Sequence, residues 1–256
     1  MTNGTNHDRA WIKYLNTHRN LTLQISLDGA NEEQNSLTRG IGNFEKTLDF
    51  ARQIQNSSLK PLMKMVISQN NLSGVEDFYR LAISVGCIPE FTFIYKSGNG
   101  SDDWESKSLS AQQKLKVLKL VDQLNHAHHI NAFLPLCTNT CPFVSTTDEM
   151  SVCIKVDGAM QPCQTLYSPE FTIGNVLEFD EEIILQNLKK ITSWAKQRTV
   201  FDYGCSKCLL QSACGRGCMA EAFLLTSDPL GNDDGCMYRK LQFLHHEIKK
   251  QQKTYQ

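Results

Sequence analysis

Five cysteines in the C-terminal third of the chain are spaced for metal chemistry. Cys205, Cys208, Cys214, Cys218 and Cys236 read C-x2-C-x5-C-x3-C-x17-C. A Cys-x2-Cys turn puts two thiolates on one side of a metal or small inorganic core, and more distant cysteines close the far side. Upstream, the stretch from Cys153 to Cys163 (CIKVDGAMQPC) has the form of a β-hairpin that ends in a further cysteine. Ten cysteines among 256 residues exceed what an ordinary cytosolic core uses. Metal ligation accounts for them most simply.

The compartment decides between metal and disulfide. Residues 1–10 are polar and lack the apolar stretch of a signal peptide. No apolar run approaches the ~18 residues that span a bilayer. A cytoplasmic chain keeps its thiols reduced, so the dense cysteine pattern reads as ligands rather than a disulfide framework. The net charge of -1 gives no field that would draw nucleic acid or an anionic membrane. Neither is expected as a partner.

The elements that must position these cysteines follow from periodicity. A helix ends over Trp11 to His18, and Leu21 to Leu27 alternates with strand period before Asp28-Gly29. Phe44 to Ile54 has helical spacing. Pro61 opens a strand over Leu62 to Ile67, Ser73 is placed to cap a helix from Gly74 to Val85, and Gly86 stops it. Pro89 opens a third strand, Phe91 to Tyr95. A polar loop then leads to a long helix over Ser110 to Ala127. This βαβαβα order predicts an α/β fold, with a parallel sheet or part of a barrel. After Leu134, short apolar pieces, turns and cysteines replace the alternation. Helices are expected there over Glu181 to Gln197, Gly215 to Leu225 and Met237 to Lys250.

The cysteine array resembles the SPASM module of radical SAM enzymes, which holds auxiliary iron–sulfur clusters. Gly158-x4-Cys163, Cys205-x2-Cys208-x5-Cys214-x3-Cys218 and Cys236 match its pattern without adjustment. The N-terminal half is similar to the later part of the radical SAM barrel. Gln24-Ile25-Ser26-Leu27-Asp28-Gly29 with Thr38-Arg39-Gly40 resembles that family's strand and loop. Val66 to Asn71 resembles the next strand with its terminal asparagine. The implied organisation is the latter half of a partial (β/α)6 barrel over residues 1–134, then a SPASM domain over 135–256.

The resemblance implies two [4Fe-4S] clusters. Cys205, Cys208, Cys214 and Cys236 would hold one; Cys163 and Cys218, with Cys141 and Cys137 as the fourth, would hold the other. Cys153 is set aside as a strand residue facing a core, and Cys87 as a buried structural thiol. A tetrathiolate zinc site is the competing reading, but five close cysteines plus a hairpin cysteine suit two clusters better. The resemblance also places Ser26 at the ribose of S-adenosylmethionine and Arg39 near its carboxylate. His126, His128 and His129 end a polar helix and read as solvated side chains.

Two departures shape the functional expectation. The family's catalytic C-x3-C-x2-C motif is missing, since no cysteine precedes Cys87. The chain is therefore expected to be a fragment, one part of a split enzyme or a degenerate relative. S-adenosylmethionine would act only with the missing half supplied, by a second chain in the split case. The edge of the Leu21–Leu27 strand is expected to lie open and to drive self-association. Second, Gln164 follows the hairpin cysteine where sulfatase-maturing members carry an aspartate that accepts a proton. Peptide or protein maturation other than formylglycine formation is the expectation. A non-catalytic module that presents a peptide to a separate maturase is the alternative.

Overall fold

The computed structural model describes residues 1–5, 8–18, 21–54, 60–132, 152–200, 205–214 and 216–254. These form two compact units, Met1–Tyr95 with Asp102–Pro135, and Lys96–Ser101 with Leu136–Gln256.

The first unit is α/β. In chain order it comprises α1 (Arg9–Thr17), β1 (Gln24–Ser26), α2 (Glu32–Arg39), α3 (Asn43–Ile54), β2 (Leu62–Ile67), α4 (Val75–Ser84), β3 (Ile88–Phe93), the short α5 (Trp104–Lys107) and α6 (Ala111–His128). The three strands are parallel in the order β1-β2-β3, with Ser26 opposite Lys64 and Lys64 opposite Glu90. Alternation sets the two faces of the sheet. Ile25, Met63, Met65, Ile67 and Phe91 are fully buried with Phe50, Ile54, Phe78 and Tyr79 of the helices. Each such side chain contributes roughly 1.5–3 kcal/mol by leaving water. The opposite face carries Gln24, Ser26, Lys64 and Glu90.

Several sequence expectations need correction. Helix α2 was not foreseen, although Asn31 caps it by accepting from Gln34 N at 2.9 Å and two glutamates fill its first turn. Arg39 therefore ends a helix instead of sitting in a loop. Ser73 does not cap α4: residues Leu72–Gly74 form a 3-10 turn, and Gly74 precedes the helix without a side-chain cap. Strand β3 begins before Pro89, whose missing N–H is tolerated at a sheet edge. The outer edge of β1 is not bare. Thr2 N donates to Gln24 O at 2.8 Å, and Ser26 N donates to Thr2 O at 2.9 Å. The expected row of unpaired groups is satisfied there by residues near the chain start.

The second unit begins, among described residues, with an antiparallel three-stranded sheet: β4 (Cys153–Ile154), β5 (Ala159–Gln161) and β6 (Gly174–Asn175). The hairpin was legible, whereas β6 is too short to show an alternation. Then follow α7 (Glu181–Val200), the one-turn α8 (Gln211–Cys214), α9 (Met219–Thr226) and α10 (Cys236–Thr254). Leu166, Phe171, Ile173, Ile191, Ala195, Met219 and Ala220 form its core, with Cys163 and Cys218 packed against it.

Candidate functional site

In the first unit, polar chemistry gathers on the face of the sheet away from the helices. Lys64 Nζ lies 3.0 Å from Glu90 Oε1, and Gln24 Nε2 donates to Glu90 Oε2 at 2.6 Å. Ser26 stands in register beside Lys64 on this face. Where β1 ends, the buried Asp28 carboxylate accepts from Val66 N and from Thr38 Oγ1, both at 3.0 Å. Arg39 Nε comes within 2.9 Å of Asp28 Oδ2 without its N–H pointing at that oxygen, so this contact is an ion pair rather than a hydrogen bond. Asp28 thus holds Arg39 at the end of the sheet. No hydrogen bond joins Ser26 to Arg39 among the described residues.

In the second unit, the cysteine run is folded into successive tight turns. Cys208 N donates to Cys205 O at 3.0 Å, Gln211 N to Cys208 O at 3.1 Å and Gly217 N to Cys214 O at 3.0 Å. These turns bring Cys205, Cys208 and Cys214 to one cavity of about 110 Å³, and Cys236 at the start of α10 closes it. No three potential ligands among the described residues converge as a single-ion site would require. The four thiols surround a space instead.

Cys163 and Cys218 meet elsewhere, on the unit's apolar core. Burial, followed by the charge of Glu221, pushes the Cys218 thiol up to about 12. Cys163 adds to that rise, so the two sulfurs sense one another. Cys137 and Cys141 lie outside the described residues. Cys153 is half-buried on β4, opposite Gln161. Cys87 is buried in the first unit.

The sequence reading missed the charges behind the cavity. Arg198, Arg216, Asp233 and Arg239 are all buried. Asp233 and Arg239 form a two-point ion pair, with NH1 to Oδ2 at 2.8 Å and NH2 to Oδ1 at 2.6 Å. Arg198 and Arg216 exchange hydrogen bonds: Arg198 NH2 donates to Arg216 O at 2.9 Å, and Arg216 NH1 to Arg198 O at 2.8 Å. Arg198 further donates to Pro229 O and Gly231 O. These contacts hold Arg216, between Cys214 and Cys218, in the left-handed region at φ 61.

Three guanidinium groups and one carboxylate are thus buried together here. Burial, then the charge of Arg216, lowers the Arg198 pKa. Burial also acts to lower that of Arg239, but the hydrogen bonds and charge of Asp233, with Cys214, raise it overall. Buried guanidinium groups favour an anion nearby. A [4Fe-4S] core with four thiolates is a dianion, so the donor set and its surroundings fit that group. The signal in the sequence was Asp233 and Arg239, placed three residues before and three after Cys236.

No protein-family model matches the chain. It is 26% identical over 225 residues to mycofactocin maturase MftC of Mycolicibacterium smegmatis, covering 84% of this chain and 57% of the relative. Identity is 28% over 229 residues to MftC of Mycobacterium tuberculosis, at the same coverage. The sporulation killing factor maturation protein SkfB of Bacillus subtilis is 20% identical over 189 residues, 69% of this chain and 43% of SkfB. Among solved structures, anSMEcpe with bound AdoMet superimposes with TM-score 0.71 at 18% identity, covering 97% of this chain and 72% of that one. SuiB of Streptococcus suis bound to S-adenosylmethionine gives 0.67 at 16%, covering 91% and 57%.

The chain is similar in sequence to these maturation proteins and shares the fold of anSMEcpe and SuiB. It spans 57% of the length of the MftC proteins it matches. Similarity to the solved structures carries the fold of the radical SAM maturases, and the α/β reading agrees with it. Among the described residues no helix is long and apolar enough to cross a membrane.

Proposed function

We propose that this chain is the auxiliary-cluster part of a radical SAM/SPASM peptide maturase. Residues 1–134 are read as the later part of the barrel and 135–256 as the SPASM domain. Cys205, Cys208, Cys214 and Cys236 hold one [4Fe-4S] cluster; Cys137, Cys141, Cys163 and Cys218 hold the second. The observation that carries this reading is the cavity lined by four cysteines, with Arg216 and Arg239 also in its wall.

Auxiliary clusters supply an electron acceptor or a site for a substrate thiolate. The protein's own residues do the positioning. The turns after Cys205, Cys208 and Cys214 aim the thiols. On the sheet, Ser26 would meet the ribose hydroxyls of S-adenosylmethionine, and Arg39, steadied by Asp28, its carboxylate. A peptide substrate is supported by the relatives, which are named as maturases, and by solved structures of anSMEcpe with the Kp18Cys peptide and of SuiB with the precursor SuiA. Reduced thiols of this kind suit a cytoplasmic location.

The test is metal content. Anaerobically purified protein is expected to hold about eight iron and eight sulfide per chain, the content of two such clusters. Cys208→Ala should remove about half of the iron and Cys153→Ala almost none. Stoichiometric zinc without sulfide would overturn the proposal, and equal losses in the two variants would overturn the ligand assignment.

A further inference from the structure

Arg239 does more than neutralise Asp233. Its Nε donates to the sulfur of Cys214 at 3.0 Å. Both terminal nitrogens are occupied by Asp233, so the guanidinium cannot rotate away from that sulfur. Asp233 in turn reaches the other set of cysteines, because its Oδ2 accepts from Cys218 N at 2.9 Å. Oδ1 accepts from Gly235 N at 3.1 Å. A continuous line therefore runs from the Cys214 sulfur through Arg239 and Asp233 to the backbone of Cys218. The pair is almost fully enclosed, with side-chain exposures of 4% and 1%.

We infer that Arg239 sets the reduction potential of the cluster at Cys205, Cys208, Cys214 and Cys236, raising it selectively over that of its neighbour. This rests on the cluster assignment proposed above. Adding one electron to a thiolate-ligated cluster adds one negative charge, and hydrogen bonds to its sulfurs and nearby positive charge favour that reduced form. Screening by water is weak at so buried a position. The neighbouring Cys218 is tied to the anionic end of the same pair, through its backbone N–H. The dipole of the Arg239–Asp233 pair thus points its positive end at one cysteine set and its negative end at the other.

The experiment is a dithionite redox titration of the reconstituted full chain, followed by electron paramagnetic resonance. A Cys163→Ala background, lacking the second cluster, identifies which signal belongs to which site. Arg239→Gln should move the Cys214-side cluster to lower potential, and the other by clearly less. Arg239→Lys, which keeps the charge but loses the planar donor, should recover part of the shift. If the variants fail to load iron, the unaltered protein carries the test. With 15N-labelled arginine, pulsed resonance on the reduced cluster should detect a nitrogen coupling. Unshifted potentials in iron-replete variants, equal shifts in both clusters, or no arginine nitrogen coupling would each overturn the inference. Absence of iron and sulfide from the unaltered protein would instead overturn the cluster assignment beneath it.

Discussion

The carboxamide of Asn71 ties the ends of two strands together by donating to the carbonyl oxygen of Asp28 at 2.8 Å. The same nitrogen donates to Val66 O at 2.9 Å, and the amide oxygen accepts from Ser68 N at 2.8 Å. Three backbone groups, two of them buried, thus depend on one side chain that is itself 3% exposed. With Asp28 accepting from Val66 N, the loops after β1 and β2 become a single hydrogen-bonded corner.

Asn71→Asp is expected to destabilise the first unit more than Asn71→Ala. Alanine leaves buried groups unpaired, at a cost of about 1–3 kcal/mol. Aspartate adds a carboxylate facing two carbonyl oxygens. Chemical denaturation of the two variants checks the order, and equal or reversed losses would contradict the corner's role.

Two glycines make room for the Asp233–Arg239 pair, and they are not equivalent. A Cβ on Gly217 would lie 2.0 Å from Asp233 Oδ2 and 2.4 Å from Arg239 NH1, on a backbone at φ +75. At Gly235 the closest atom would be Arg239 NH1 at 2.5 Å. Gly217→Ala should therefore cost more than Gly235→Ala. Backbone strain alone adds roughly 1–3 kcal/mol, and displacement of the pair adds to it. Thermal unfolding of the iron-loaded variants measures the difference.

The parts of this architecture that the sequence carried are those with a local signature. Strand β2 was bounded correctly because Pro61 and the polar Gln69–Asn71 turn flank a run that is apolar except for Lys64. Helix α6 was expected from Ser110, and there the structure shows a capping box, with Gln113 N donating to Ser110 Oγ at 3.3 Å and Ser110 N to Gln113 Oε1 at 2.9 Å. Helix α2 escaped because it is mostly polar: among its buried residues is Asn35, whose Oδ1 accepts from Asp28 N at 2.9 Å. Hydrophobic periodicity cannot see a helix held by such bonds. The cysteines of the site were plain in their spacing. The buried arginines behind them were not, because charged residues next to cysteines usually lie in solvent. Only the fold shows that Arg198 and Arg216, eighteen residues apart, close on each other.

Cys87 offers a pH signature independent of metal. It is 3% exposed, and burial pushes its thiol from 9.0 to about 12. The folded chain keeps that proton between the two values while the unfolded chain releases it. Its contribution to stability is thus complete below pH 9 and is lost as pH rises towards 12. Native protein treated with iodoacetamide at pH 9 should leave the Cys87 peptide unmodified, whereas denatured protein should label it fully. Rapid native labelling in peptide mass maps would show that the site is open.

Gln164 restricts the chemistry that the second unit can support. It is exposed and directly follows Cys163, one of the two sulfurs on the apolar core. A carboxamide cannot take up a proton at neutral pH, so Gln164 supplies no general base at this position. With a radical-generating partner supplied, the iron-loaded chain is expected to yield no formylglycine on a sulfatase peptide. Gln164→Asp tests whether this residue is what blocks the reaction. As an exposed substitution it should alter stability by no more than about 0.5 kcal/mol, so an aldehyde product gained in that variant alone would trace to the new base. An aldehyde formed by the unaltered chain, seen in the peptide mass, would show that the proton leaves by another route.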